Sequence, residues 1–199
     1  MIEILGLQIS VIDFVGAVIG LFYIISEYRA GRWFWPLCLL MSAFYIAIDF
    51  SSGYYANGCI CIYNFVMAIY GILVWRGVVQ SKEKKERPFG SCPNRHWRWI
   101  MSVALLLLSA LLWWLLDVLG ESDYPALDGI SSAVTIVGMW MLAQKWWQQW
   151  FCWMIVEPLM VALFWMGGNY ASAVLYVIYE VFCILGAISW RRQYLKSKQ

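Results

Sequence analysis

The chain has 199 residues, of which 63% are hydrophobic, 18% aromatic and 13% charged, and its formal net charge is +2. Ordinary soluble domains are roughly 45–50% apolar and about 25% charged. The composition therefore indicates an integral membrane protein in which short polar connections join hydrophobic spans, and it leaves no room for a separate soluble domain.

Seven apolar segments are long enough to cross a membrane. A hydrocarbon core of about 30 Å needs roughly 20 apolar residues per helix. The first segment is interpreted as a retained span, because no basic region precedes it and no small-residue cleavage site follows it. The predicted spans are 9–28, 33–52, 54–76, 98–118, 126–145, 149–167 and 170–190.

The distribution of Lys and Arg predicts the direction of these spans, since cations near span ends are retained in the cytoplasm. With the 76–98 loop inside, all 14 basic residues are cytoplasmic, and we expect the N-terminus outside and the C-terminus in the cytoplasm. The basic loop is interpreted as a solvated connection and not as a nucleic-acid site. The inside positions are Arg29, Arg32, Arg76, Lys82, Lys84, Lys85, Arg87, Arg95, Arg98, Lys145, Arg191, Arg192, Lys196 and Lys198.

An internal repeat is visible when the chain is compared with itself at an offset of 115 residues. We predict one transmembrane domain, residues 1–199, with three-helix repeats at 9–76 and 126–191 and a linker helix at 98–118. The offset moves each span onto the span four helices later. Because four is an even number, both repeats cross the membrane in the same direction, as in transporters that bind substrate near mid-depth. The matched pairs are Asp13 and Asp128, Trp35 and Trp150, Gly53 and Gly168, Tyr55 and Tyr170, Ala56 and Ala171, Gly71 and Gly186, Trp75 and Trp190, and Arg76 and Arg191.

Few polar residues lie near the centres of the spans. They are Asn64, Glu157 and Glu180, and each is expected at a similar depth. Ionisable groups inside a membrane are candidates for a functional site, whereas a single buried amide such as Asn64 can equally join two helices.

The sixth span combines aromatic and acidic side chains on one stripe. Trp150, Trp153 and Glu157 stand at i, i+3 and i+7, and Pro158 leaves a backbone carbonyl unpaired, which is tolerable beside a cavity. Indole faces and a carboxylate together favour a flat cation. Tyr176 and Glu180 form a comparable i, i+4 pair in the seventh span.

The six cysteines lie mainly inside apolar segments, where free cysteine behaves as a small hydrophobe. Cys92 with His96 supplies only half of a four-ligand zinc site. We expect no disulfide framework, no bound metal and no cofactor.

These residues resemble the PnuC-type vitamin transporters of bacterial inner membranes. The similarity rests on Lys145 followed by Trp150, Trp153 and the position of Glu157, and on the endings "IYGILVW" and "ILGAISW" of the third and seventh spans. It implies a SWEET-like 3+1+3 all-α fold, a homotrimer whose protomers each carry a pore, and no enzymatic activity. It also implies facilitated diffusion of an unphosphorylated vitamin, made unidirectional by cytoplasmic phosphorylation.

The residue at position 157 bears on the substrate. Nicotinamide riboside transporters of this family typically carry Asn there, and Glu157 resembles the thiamine-transporting PnuT branch. A carboxyl group can engage the ring nitrogen and the amine of thiamine's aminopyrimidine, whereas an amide suits the carboxamide of nicotinamide. We expect thiamine, with nicotinamide riboside as the alternative. An intramembrane enzyme, a scaffold and an ion channel are less favoured, since protease motifs and a continuous polar lining are lacking.

Overall fold

The computed structural model describes residues 2–4, 7–9, 11–52, 55–79, 87–166, 168 and 170–198. Strands β1 (Ile2–Ile4) and β2 (Leu7–Ile9) form an antiparallel hairpin before the helical bundle. Lys82, Lys84 and Lys85 of the predicted basic loop, and Gly53 of the predicted repeat, lie outside the described residues. The helices are α1 (Val11–Tyr28), α2 (Phe34–Ser52), α3 (Tyr55–Trp75), α4 (Arg95–Leu119), α5 (Pro125–Ala143), α6 (Gln149–Met166) and α7 (Tyr170–Lys196).

The prediction of a bundle of mainly apolar helices is confirmed. Within the described residues, six helices are long and apolar enough to cross a membrane, and the shorter apolar stretch Val18–Tyr28 belongs to α1. The first predicted span, 9–28, matches α1 but begins slightly early, because residues 7–9 form β2. Apolar Ile2, Ile4, Leu7 and Ile9 alternate with polar positions, a strand pattern that a count of apolar residues overlooks.

Two helices extend beyond their predicted spans for local reasons. At the start of α4, the Asn94 side chain accepts a hydrogen bond from the Trp97 backbone N–H at 3.1 Å and caps the helix. At the other end of the bundle, α7 continues to Lys196, because the polar sequence after Trp190 consists largely of good helix formers. These extensions lie at the polar ends of the helices.

The helices pack in a reciprocal pattern. α2 packs against α3 and α6 against α7, whereas α3 also contacts α5 and α7 contacts α1. Trp75 at the end of α3 donates its indole N–H to the Leu142 carbonyl of α5 at 3.3 Å, and Trp190 at the end of α7 donates to the Tyr28 carbonyl of α1 at 2.9 Å. We call this end of the bundle, where α1, α3, α5 and α7 finish, the basic end.

The turns α1–α2 and α5–α6 share one hydrogen-bond pattern. Ala30 and Lys145, 115 residues apart, both adopt left-handed backbone angles, with φ of 49° and 53°. In each turn, four backbone N–H groups donate to carbonyls at matching positions. The bonds are Arg29 to Ile25, Ala30 to Glu27, Gly31 to Ser26 and Phe34 to Gly31 in the first turn, and Gln144 to Trp140, Lys145 to Leu142, Trp146 to Met141 and Gln149 to Trp146 in the second.

Two tryptophan–glycine contacts also match at this offset. A side chain on Gly71 would place its Cβ 2.4 Å from the Trp35 indole, and one on Gly186 would place it 2.5 Å from the Trp150 indole. Glycine is therefore required at both positions for the neighbouring helices to approach this closely. Edge-on tryptophan pairs complete the core at the basic end, with ring centroids 5.3 Å apart for Trp35 and Trp75 and 5.5 Å apart for Trp150 and Trp190.

A segment that we call the strap, residues 87–92, crosses the basic end before α4 begins. Its backbone pairs with the α5–α6 turn through Gly90, which donates to the Lys145 carbonyl at 2.9 Å and accepts from the Trp147 N–H at 3.1 Å. Phe89 places its ring 5.0 Å from that of Trp190. The strap therefore covers the aromatic core at this end.

Candidate functional site

The stripe predicted on α6 faces the interior of the protein. Trp150, Trp153 and Glu157 are only 0%, 8% and 7% exposed, so Glu157 does not point outward to lipid. The helix continues through Pro158, which lies on its exposed side. The arrangement gives a carboxyl group and two indoles on the buried face of one helix.

Glu157 lies among acidic and phenolic groups from two other helices. Glu27 of α1 and Glu180 of α7 are both within electrostatic range of its carboxyl group. The Tyr176 hydroxyl of α7 is also within range of Glu157. The packing of α7 against both α1 and α6 brings these groups together, and it groups three of the predicted site residues, Glu157, Glu180 and Tyr176.

Aromatic rings border the acidic groups along α7. The Tyr176 ring stacks on Phe164 of α6 with centroids 5.2 Å apart, and it lies 5.3 Å from the ring of Tyr179. Tyr179 is buried and lies within electrostatic range of Glu157 and Glu27. Tyr176 thus stands between an aromatic contact and the carboxyl cluster.

Glu27 was missed in the sequence, although it is the most buried of the three carboxyl groups at 2% exposure. It interacts with the side chains of Trp153 and Gln149 across the α1–α6 interface. A glutamate in the last turn of a span, two residues before Arg29, resembles a solvated helix end. Tyr23 stands four residues before Glu27, and positions i and i+4 share a helix face. Two side chains with polar groups on one face of an apolar span were the signal that could have identified Glu27.

Several buried polar atoms, in this cluster and elsewhere in the bundle, have no hydrogen-bond partner among the residues that the structure describes. Such atoms are rare in proteins, because an unsatisfied buried group loses its solvation without compensation. Glu27 interacts with Trp153 and with Gln149, but neither contact has hydrogen-bond geometry. The atoms are Glu27 Oε1, Asn64 Oδ1, Gln149 Oε1 and Nε2, Trp150 Nε1, Trp153 Nε1, Glu157 Oε2 and Glu180 Oε2.

Two predicted site residues lie in other surroundings. The Trp150 ring lies on Gly186, within the aromatic core of the basic end. Asn64 lies on α3, which packs against α2 and α5, and no hydrogen bond joins it to the acidic groups among the described side chains. Their proximity to Glu157 therefore stays a prediction.

Lys145 closes the basic end of this region. Its ammonium group lies over the Trp75 ring at 4.7 Å and over the Phe89 ring at 5.5 Å, and it donates to the Arg87 carbonyl at 3.0 Å. These contacts place a cation between α3 and the strap. Burial lowers the pKa of the neighbouring Arg87 guanidinium.

Comparison with known proteins agrees with this architecture. The chain is 27% identical, over 94% of its length and 86% of the relative, to the riboflavin/roseoflavin transporter RibM of Streptomyces davaonensis. It is 24% identical to the nicotinamide riboside transporter PnuC of Escherichia coli, over 93% of this chain and 87% of that protein.

A solved structure has the same fold. The crystal structure of the vitamin B3 transporter PnuC superposes with a TM-score of 0.71 and 19% identity, covering 92% of this chain and 82% of that one. The family model described as nicotinamide mononucleotide transporter matches residues 10–192. The chain therefore belongs to this family of PnuC-type vitamin transporters, which are multi-pass membrane proteins.

Proposed function

We propose that the protein carries thiamine across the membrane by facilitated diffusion. The observation that supports this proposal is the inward-facing Glu157, which lies near Tyr176 and two further carboxyl groups and whose Oε2 has no hydrogen-bond partner among the described residues. Unpaired polar atoms inside a membrane protein are costly, and a substrate that pairs with them offsets that cost. Glu157, Glu180 and Trp153 are the proposed contacts, with Tyr176 beside them.

The chemistry of thiamine fits these groups. Its aminopyrimidine presents a ring nitrogen and an exocyclic amine side by side, which a carboxyl group engages with two hydrogen bonds. Its thiazolium ring carries a permanent positive charge, which aromatic faces and carboxylates attract. Trp150 is proposed to bound the site at the basic end, and Asn64 is proposed to line it from α3.

Nicotinamide riboside is the second candidate, because the Escherichia coli relative is named for it. It is also a flat cation, so the aromatic groups do not separate it from thiamine. The name of the Streptomyces relative adds riboflavin, which is neutral, and a cluster of three carboxyl groups gives it no charge partner. The Glu at position 157 favours thiamine over both.

A binding titration of the purified protein with thiamine, nicotinamide riboside and riboflavin tests the proposal. The wild type is expected to prefer thiamine, and Glu157→Asn is expected to shift the preference towards nicotinamide riboside. Asp49→Asn is a matched control, because Asp49 is a buried carboxyl group on α2 that accepts a hydrogen bond from the Cys61 thiol. A wild type that prefers nicotinamide riboside or riboflavin would overturn the assignment of thiamine.

We further propose that α1–α3 and α5–α7 are two parallel repeats joined by α4. The matching turns and tryptophan–glycine contacts at the 115-residue offset support this arrangement. The proposed orientation has the N-terminus outside and the basic end in the cytoplasm, in agreement with the positive-inside rule. A green fluorescent protein fused to the C-terminus should then fluoresce in bacterial cells, and a dark fusion would contradict the orientation.

The proposed assembly is a homotrimer in which each protomer carries its own pathway. Helix α4 buries only Leu116 among its described side chains and exposes large apolar ones such as Trp99, Leu107 and Trp114. An exposed apolar helix face suits lipid or a neighbouring protomer. Native mass spectrometry in detergent would measure the subunit number directly.

A further inference from the structure

We propose that Glu27 is a second specificity-determining carboxylate of the transport site, and that with Gln149 and Trp153 it binds the positively charged ring of the substrate. The proposal rests on the proposed transport of a flat cationic vitamin. It divides recognition between Glu157, which hydrogen-bonds the neutral part of the ligand, and Glu27, which pairs with its charge.

The surroundings of Glu27 lack the charge partner that a buried carboxylate normally has. No Lys or Arg among the described side chains contributes to its electrostatic environment, which consists of burial, Trp153 and Gln149. Its Oε1 atom is fully buried and has no hydrogen-bond partner among the described residues. A buried carboxyl group is otherwise paired, bound to a cation or neutral through protonation. A cationic ligand is the partner that this environment lacks.

The two side chains that face Glu27 can complete such a subsite. Gln149 is 0% exposed, and within the described part of the chain neither its amide nitrogen nor its amide oxygen has a hydrogen-bond partner. The Trp153 indole N–H is likewise unpartnered. Indole attracts a desolvated cation through its face, and a glutamine amide can accept from or donate to a polar substituent.

The residues that match this trio at the 115-residue offset show that the fold does not require these polar groups. At the same offset of 115 residues, Leu142 stands in place of Glu27 and Phe34 in place of Gln149, and both are buried. Cys38 similarly stands in place of Trp153. The backbone hydrogen bonds of the two turns nevertheless agree. The polar trio therefore joins α1 to α6, whereas the matching positions on α5 and α2 carry Leu142, Phe34 and Cys38, as expected for a ligand site.

The position of the trio indicates which end of the site it serves. Gln149 and Trp153 occupy the first two turns of α6, at the basic end, whereas Glu157 lies one turn further along the helix. Glu27 is in the last turn of α1 at the same end. A ligand about two rings long would reach both carboxyl groups, with its charged ring towards the basic end.

Ligand pairs that differ in charge test this role on the full-length protein. The first pair is nicotinamide riboside, which has a pyridinium ring, and its neutral dihydro form. The second pair is thiamine and its aminopyrimidine half, which lacks the thiazolium. Glu27→Gln keeps the side-chain size and removes the charge, and we expect it to weaken binding of the cationic member by about tenfold to a hundredfold.

The neutral member of each pair should bind Glu27→Gln within about twofold of wild type. Equal weakening for charged and neutral members would overturn the proposal, because that pattern indicates a structural role. Glu157→Gln provides the contrast, since it should weaken the aminopyrimidine half of thiamine, which Glu27→Gln leaves unaffected.

The same experiment separates this proposal from the proposed function. Binding of nicotinamide riboside without binding of thiamine refutes thiamine transport but still tests Glu27 through the first pair. Normal thiamine binding by Glu27→Gln refutes the role of Glu27 and leaves thiamine transport standing. A wild type that binds only neutral ligands refutes both.

Discussion

At the scale of single residues, the carboxyl groups of Glu27, Glu157 and Glu180 carry the largest energetic consequences. A charged group at the centre of a membrane helix costs about 2.5–3.5 kcal/mol on insertion scales. Here Glu27 and Glu180 each lie within electrostatic range of the buried Glu157, which adds repulsion whenever Glu157 and either neighbour are both ionised. Such a cluster is unfavourable for folding alone, and a bound cation relieves it.

Glu157→Gln is expected to weaken thiamine binding by about 1–3 kcal/mol, which is the usual cost of leaving a buried hydrogen-bond partner unsatisfied. Isothermal titration calorimetry on the detergent-solubilised protein measures this change. The variant should unfold at the wild-type temperature or slightly above it, because it removes one of three neighbouring acids. An unchanged affinity for thiamine would remove Glu157 from the site.

Gly71→Ala is expected to destabilise the protein by about 1–3 kcal/mol, since the new Cβ would overlap the Trp35 ring and overpacking carries this cost. Thermal unfolding followed by tryptophan fluorescence reports the loss. In the double variant Gly71→Ala with Trp35→Phe, the smaller ring should recover part of it. Strictly additive losses would show that the contact between the two residues is not the cause.

At the scale of elements, the backbone of the turn after α1 is strained at Ala30, a position where glycine would not be strained. Ala30 adopts a φ of 49°, a left-handed conformation that costs residues with a Cβ about 1–2 kcal/mol. The matching turn after α5 uses Lys145 in the same conformation, where the side chain gains contacts with Trp75 and Phe89. These contacts of the Lys145 side chain offset the strain at Lys145, whereas the methyl side chain of Ala30 is too short to offset it in the same way.

Ala30→Gly is accordingly expected to raise the free energy of unfolding by up to about 1 kcal/mol, because relief of strain exceeds the extra freedom of glycine in the unfolded chain. Ala110→Gly, in the exposed middle of α4, is the matched control and should lower stability by about 1 kcal/mol. Thermal unfolding of both variants decides the matter. A loss of stability in both would mean that the turn is not strained.

The strap is the second element whose contacts can be tested directly. Gln148 holds it twice, since its Oε1 accepts from the Cys92 N–H at 3.2 Å and its Nε2 donates to the Ser91 hydroxyl at 2.6 Å. Burial raises the pKa of the Cys92 thiol. Because the thiolate is the reactive form, a raised pKa slows alkylation while the strap is in place.

Gln148→Ala is therefore expected to accelerate alkylation of Cys92 several-fold near neutral pH, as release of the strap exposes the thiol and lets its pKa fall towards the ordinary value of about 8.5. Mass spectrometry of the Cys92 peptide after a timed maleimide pulse gives the rate. Cys59, which is exposed on α3, serves as the internal control and should react at the same rate in both proteins. Equal rates at Cys92 would show that Gln148 does not hold the strap.

At the scale of the whole molecule, the two proposed repeats, α1–α3 and α5–α7, pack against each other. Their contacts are those of α3 with α5 and of α7 with α1. Relative motion of the halves would therefore change the distance between Glu27 on α1 and Glu157 on α6. This is the geometry expected of a carrier whose site lies between two repeats.

Transport is expected to equilibrate thiamine and not to concentrate it. In proteoliposomes, labelled thiamine inside should reach the outside concentration and stop, and a protonophore should leave this level unchanged. Enclosed thiamine pyrophosphokinase with ATP should then drive accumulation of the phosphorylated vitamin. Accumulation of unmodified thiamine that the protonophore abolishes would contradict facilitated diffusion.

Much of the fold was predictable from the sequence, because hydrophobicity and span length are local properties. All seven predicted spans begin and end within a few residues of a helix, apart from the polar extension of α7. The N-terminal hairpin was not predicted, since the short apolar alternation over residues 2–9 precedes the first span and was not considered as strand. The stripe of Trp150, Trp153 and Glu157 was predicted as one face because helical spacing fixes it.

The sequence by itself determined the apolar helices, the family and the acid at position 157, because each depends on residue type and spacing along one segment. Only the tertiary structure decided that Glu27 lies beside Gln149 and Trp153, and that Trp150 lies on Gly186. The reason is physical: partners on different helices are selected by the packing of α7 against α1 and α6, and helix periodicity carries no information about which faces meet.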